Sequence, residues 1–147
     1  VRRTQEARLL LGSIGTTFKP LITFRRKAGF GSFPVKFHEV ALIADAVILW
    51  EMRVGGTLTG ASFGAVTNVP TTETSLEVDI AATAITGGQK TESGLVATTG
   101  SGRKESGGFN NDAFAIPLPG VEEITLCARA LTGTATISSV LGMEEEW

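Results

Sequence analysis

Apolar and polar residues alternate with a period of two along several stretches of this 147-residue chain, as in a strand with one buried and one wet face. Over residues 75–80, Leu76, Val78 and Ile80 alternate with Ser75, Glu77 and Asp79. Over 46–54, Ile48, Trp50, Met52 and Val54 share one phase, and Glu51 and Arg53 take the other. Val47 and Leu49 make the first half of that segment apolar on both faces, which predicts a central strand or a subunit contact. Over 123–131, Ile124, Leu126, Ala128 and Ala130 fall together, opposite Thr125, Cys127 and Arg129.

Residues 35–43 behave differently. Val35 and Phe37 hold one phase, Val40 and Leu42 the other, with His38 and Glu39 at the change. A strict period of two cannot switch phase without an extra residue, so the spacing predicts a β-bulge there. Further strands are expected at 20–27, 62–67, 91–97, 113–118 and 135–143. Turn signals separate them: the glycines of 27–32, Gly55-Gly56, Thr59-Gly60, the segment around Pro70, Gly87-Gly88 and Pro119-Gly120. Residues 99–111, rich in Gly and Ser with Arg103 and Lys104 at the centre, read as an exposed, mobile loop.

Eight or nine strands with almost no helix predict an all-β fold, a β-sandwich. The strand number and the long connections favour a jelly roll. Residues 1–18 are expected to form an N-terminal arm or linker, extended or briefly helical, ahead of a sandwich domain over 19–147. The chain opens on Val rather than Met, which points to a processed protein or a piece of a longer one.

Composition narrows the function. Hydrophobic residues make up 42% and charged residues 19%, so the chain has the material for one core. Thirteen basic against 15 acidic residues leave a net charge of −2; a dedicated nucleic-acid binder, which must neutralise phosphates, is not expected. No apolar run is long enough for a membrane-spanning helix. Arg2, Arg3 and Arg8 with Arg25, Arg26 and Lys27 lie early in the chain, and Glu144, Glu145 and Glu146 close it. These are either solvated patches or partners of opposite patches on neighbouring subunits. The single cysteine, Cys127, excludes an internal disulfide and fits assembly in an intracellular compartment.

Little in the chain can carry chemistry. A nucleophile–histidine arrangement would need His38, the only histidine, which sits mid-strand at the predicted bulge. One His and one Cys make a poor zinc set. The glycines of 100–108 contain no Gly-Lys-Ser/Thr step and open no helix, so no phosphate loop or cofactor site is expected. Asp45, Glu51, Asp79 and Asp112 are nominal candidates for a glycosidase-type pair, but strand-end acids are common. No catalytic residue, metal or cofactor is expected, and no enzyme. Trp50 reads as core, and Trp147 as an exposed anchor against a neighbour.

Several motifs form a recurring string. Trp50-Glu51-Met52-Arg53 followed by Gly56-Thr57-Leu58-Thr59-Gly60-Ala61-Ser62-Phe63 resembles a segment of tailed-bacteriophage virion proteins. So do residues 78–88 (VDIAATAITGG), Ser93-Gly94-Leu95-Val96, residues 124–129 (ITLCAR), the turn at 132–134 and a last strand closing on Trp147 after acids. Order and spacing over residues 30–147 carry the resemblance; the basic first 27 residues lie outside it. It implies a non-enzymatic, surface-exposed decoration or fibre module of the phage head or tail, located in the virion, contacting other virion proteins and assembling as a trimer. The alternative it allows is a tail-fibre tip that binds a host receptor or surface glycan. Val47, Leu49, Leu131 and Trp147 are then the expected oligomer contacts, and Arg103 and Lys104 mark the exposed loop.

Overall fold

The alternating segments become strands, all paired antiparallel. The computed structural model describes residues 1–31, 33–96, 105–110, 116–118 and 122–146. Among them run β1 (Arg2–Ile14), β2 (Lys19–Arg26), β3 (Val35–Ala44), β4 (Ile48–Val54), β5 (Thr57–Thr59) and β6 (Leu76–Asp79). Then follow β7 (Ala84–Thr86), β8 (Gln89–Val96), β9 (Glu105–Asn110), β10 (Ile116–Pro117), β11 (Ile124–Ala130) and β12 (Ala135–Glu145). The one helical turn among the described residues is a 3-10 turn at Thr71–Glu73.

Two sheets stack into the expected sandwich. The first runs β1-β12-β3, with β9 and β10 both pairing to the far side of β3; the second runs β6-β2-β11-β4-β8. A core of inward-facing residues fills the space between them, including Ile22, Phe24, Phe37, Leu42, Ile48, Met52, Leu126 and Leu141. Phe24 on β2 and Phe37 on β3 meet across it with ring centroids 5.7 Å apart and planes tilted by 43°, within the contact range of paired aromatic rings. Trp50 is 3% exposed and belongs to this core.

The bulge lies where the phase change puts it. β12 pairs Gly142 with Glu39 and Met143 with Phe37, leaving His38 as the extra residue. Val35 and Phe37 before it, and Val40, Leu42 and Ala44 after it, all face the core. His38 itself is buried. Gly142 suits the site, because a β-carbon there would come within 2.9 Å of the Glu39 side chain.

Three expectations are corrected. Residues 2–14 are neither an arm nor a short helix. β1 pairs with β12 from Arg2↔Glu144 to Leu9↔Ile137 and again at Ile14↔Ala135, so the sandwich takes in residues assigned to the linker. Only a Gly64–Val78 bridge forms in the segment expected as a strand over 62–67. Residues 105–110, expected within the mobile loop, form β9 and pair with β3.

The two outer faces differ. Thr23, Glu51, Thr125 and Cys127 lie on the outward side of the second sheet and are nevertheless buried. The excursion between β4 and β8 supplies cover: β5 and β7 form a small ladder, and β7 lies against β2. Phe63 from the same excursion packs under the Arg25 guanidinium, 3.7 Å from the ring centroid. Positive φ at Gly55, Gly56, Gly87 and Gly88 turns the chain into and out of this excursion, a conformation that glycine adopts without steric cost.

Candidate interaction surface

Two of the expected contact residues lie on β4 or beside it. By strand alternation Val47 and Leu49 point away from the core that holds Ile48 and Trp50, and both are half-buried. Leu131 joins them: its amide donates to the Val47 carbonyl at 3.1 Å, and its side chain is 40% exposed. The register places Leu95 of β8 opposite Leu49, 62% exposed. The structure therefore brings Val47, Leu49 and Leu131 to one corner of the second sheet. It adds Leu95, which the sequence reading missed. The available signal was phase: Leu95 shares its face with Thr91 and Ser93, whereas Val96 points inward. Trp147, Arg103 and Lys104 lie outside the described residues.

The charged segments pair within the chain. Arg2 lies 3.7 Å from Glu144, both well exposed, and Arg3 lies 3.1 Å from Glu145. The idea that the early arginines reach the terminal acids of a neighbour is thus corrected for these two pairs, because β1 and β12 are adjacent strands. Glu145 is fully buried. Its carboxylate accepts from the Ser75 amide at 3.1 Å, the Ser75 hydroxyl at 2.8 Å and Arg3 Nε. Burial works against its charge, but the hydrogen bonds from Thr74, Ser75 and Arg3 outweigh it and hold the carboxyl below the ordinary glutamate value. Arg3 also donates to the Glu73 carbonyl, and Lys27 to those of Thr71 and Thr74. This network ties the 3-10 turn and the start of β6 to the end of the first sheet.

The residues weighed for chemistry have structural partners instead. The Asp45 carboxylate accepts from the Thr136 amide at 2.8 Å. Glu51 pairs with Arg53 at 2.5 Å. Asp79 accepts from the amides of Ser62, Ala81 and Ala82 at 2.7, 3.1 and 3.1 Å, closing the turn after β6. Asp112 lies outside the described residues. Cys127, expected on a polar face, is buried in β11, its thiol 3.4 Å from the Glu51 carbonyl. Burial pushes that thiol up to about 12, with nearby Arg53 pulling it down and Glu51 pushing it further up. Among the described residues no three His, Cys, Asp or Glu side chains are placed to hold a metal ion.

A groove of about 440 Å³ lies beside the excursion, lined by Arg25, Thr57, Leu58, Phe63 and Glu123 among others. Arg25 spans it, paired with Glu77 at 2.5 Å and Glu123 at 3.6 Å while stacked on Phe63.

No family model matches the chain, and no curated protein does. Among solved structures a match is found to particles described as "Infectious Bursal Virus Derived T=1 Particles", at 13% identity and a TM-score of 0.16. It covers 98% of this chain and 40% of that one, so the chain spans well under half the length of the matched protein. A likeness at that score carries no argument about fold or function.

Proposed function

We propose that this chain is a non-enzymatic structural module of a tailed-phage virion, a decoration or fibre domain on the outer surface of head or tail that assembles as a trimer with other virion proteins around it. The observation that carries the reading is the apolar corner formed by Val47, Leu49, Leu95 and Leu131. Contiguous exposed apolar side chains usually mark contacts between proteins. The motif string from residue 30 onward supplies the virion context.

The strand order supports a jelly-roll reading. Setting aside the short β5, β6, β7 and β10 leaves eight of the twelve described strands. Renumbered in chain order, these run 1-8-3-6 in one sheet and 2-7-4-5 in the other. That is the order two Greek keys take when wrapped into a sandwich, an architecture used by capsid and lectin domains. The link from fold to virion is an analogy, since one fold hosts many functions.

Mass spectrometry of purified virions whose genome encodes the chain is expected to find it, and cryo-electron microscopy to place it on the outside. Particles that lack the protein would overturn the reading. The groove bearing Phe63 and Arg25 favours a second reading, a fibre tip that binds a host glycan, because an aromatic ring beside polar groups suits a sugar. One face of that ring is already occupied by Arg25. A glycan array with specific binding, lost in Phe63→Ala, would select the second reading.

A further inference from the structure

We infer that the outer face of the β1-β12-β3-β9 sheet, exposed at Ala41 and Ile43, is a second self-association surface, on which a second copy of this chain packs face to face about a two-fold axis near Ala41. The inference goes beyond the trimer reading, which uses the opposite sheet.

The register sets out the face. One row across the strands reads Glu6, Val140, Ala41 and Gly108, and the next reads Arg8, Ser138, Ile43 and Ser106. On β12, β3 and β9 these two rows hold no charged residue. Ala41 is exposed, Ile43 is 46% exposed, and Ser138 and Val140 are half-buried. A shallow depression of about 360 Å³ lies over them. The second sheet, by contrast, has its outer face covered on the β2 side by the chain's own excursion. Small uncharged residues at central strand positions let another sheet approach to about 10 Å, the ordinary stacking distance. They also spare the centre of the contact the cost of burying a charge, leaving charged groups at Glu39 and at Glu6 on the β1 edge.

The pattern along β3 specifies a copy of itself. Five successive outward positions are Lys36, Glu39, Ala41, Ile43 and Asp45, the bulge at His38 taking up the odd residue between the first two. Ala41 is the middle one. A two-fold axis through it, lying in the interface and crossing the strands, sets each Lys36 over the partner's Asp45, opposite charges at both ends. Lys36 and Asp45 are both exposed. Four strands about 4.8 Å apart, and nine residues rising about 3.4 Å each, give a face of roughly 19 by 30 Å. That footprint, about 570 Å² at most, is about seven-tenths of the roughly 800 Å² of accessible surface per partner that stable interfaces bury.

The test is native mass spectrometry of the full chain at micromolar concentration with two sets of variants. An even-numbered oligomer is expected, a dimer or a hexamer. Ile43→Asp, which the axis sets over the partner's Glu39, is expected to halve its subunit number while Leu49→Asp leaves the face-to-face dimer in place. Lys36→Asp alone should weaken dimerisation by about tenfold, since an attraction becomes a repulsion twice over. Lys36→Asp with Asp45→Lys should restore it. Within one subunit these residues stand at opposite ends of β3, so rescue by the double swap can arise only between copies. A trimer that Leu49→Asp dissociates and Ile43→Asp leaves intact would overturn this inference and leave the trimer reading standing. A dimer lost in Ile43→Asp would do the reverse. A monomer at all concentrations would overturn both.

Discussion

Trp50 and Gly94 are register partners on β4 and β8, and the indole fills the space that a side chain on Gly94 would need. A β-carbon there would lie 2.7 Å from Nε1 and 2.8 Å from two ring carbons. Gly94 therefore serves the edge strand by letting a large core residue lie over its backbone. Gly94→Ala is expected to cost about 1–3 kcal/mol, the range for overpacking a filled site. Urea unfolding followed by fluorescence in a Trp147→Phe background would measure it. An unchanged midpoint would show that the ring moves aside freely.

Acid should loosen the end of the sandwich where Glu145 is buried. Its folded value lies below the unfolded one, so the carboxylate contributes stability that is present above the ordinary value of 4.5 and is lost as pH falls through the folded value. Glu145→Gln should flatten that acid limb in stability measured against pH. Glu145→Ala, which leaves Arg3 largely buried without its carboxylate, should cost about 3–5 kcal/mol at neutral pH. An acid limb identical in wild type and Glu145→Gln would assign the pH response elsewhere.

Cys127 should be inert in the folded protein. With its thiol pushed up to about 12, almost no thiolate exists at neutral pH, and the thiolate is the reactive form. Alkylation by iodoacetamide is expected only on unfolding. Here the folded value lies above the ordinary 9.0, so the unfolded state loses its proton first. Stability should fall as pH rises above that value, by up to about 1.4 kcal/mol per pH unit. Rapid labelling of native protein would contradict the burial.

Association through the apolar corner should depend on packing more than on charge. Arg2 and Arg3 are engaged by Glu144 and Glu145 of their own chain, so added salt has few intersubunit ion pairs to screen there. Val47→Asp with Leu49→Asp is expected to break that contact while the far-ultraviolet spectrum stays that of a β protein. Sedimentation velocity at low and high salt would show both effects. Dissociation by salt alone would locate the association energy in ion pairs.

The sequence makes some of these features legible and hides others for physical reasons. β4 announces itself through Ile48, Trp50 and Met52, because large apolar residues at every second position leave one reading. The bulge is visible because residues on both sides of His38 are strongly apolar. β1 is hidden: its inward positions include Gln5 and Ala7, and Gln5 is satisfied by Thr67 rather than by apolar packing. β9 is hidden too, since Gly107 and Gly108 have little strand preference and follow the pairing that β3 offers. The opposite error occurs over residues 62–67. Val66 is buried there, but the Ser62 amide donates to the Asp79 carboxylate instead of to a strand carbonyl, and no ladder forms. Thr125 and Cys127 look wet by alternation because nothing in a single strand reveals that parts of the chain distant in sequence bury its outward side.

The extra residue at His38 has a consequence for how this gene can vary. Exchanging the histidine alters one side chain at a site where the backbone already steps aside. Removing its codon would close the bulge, because Gly142↔Glu39 and Met143↔Phe37 are already consecutive pairs on β12. Val35, Phe37, Val40 and Leu42 would then alternate strictly and keep facing the core. Loss of His38 together with Glu39 is a different event, since with the Val40 half kept in register Val35 and Phe37 would turn out toward water. In-frame deletions at this point should therefore sort by parity, the loss of one residue being borne far better than the loss of two.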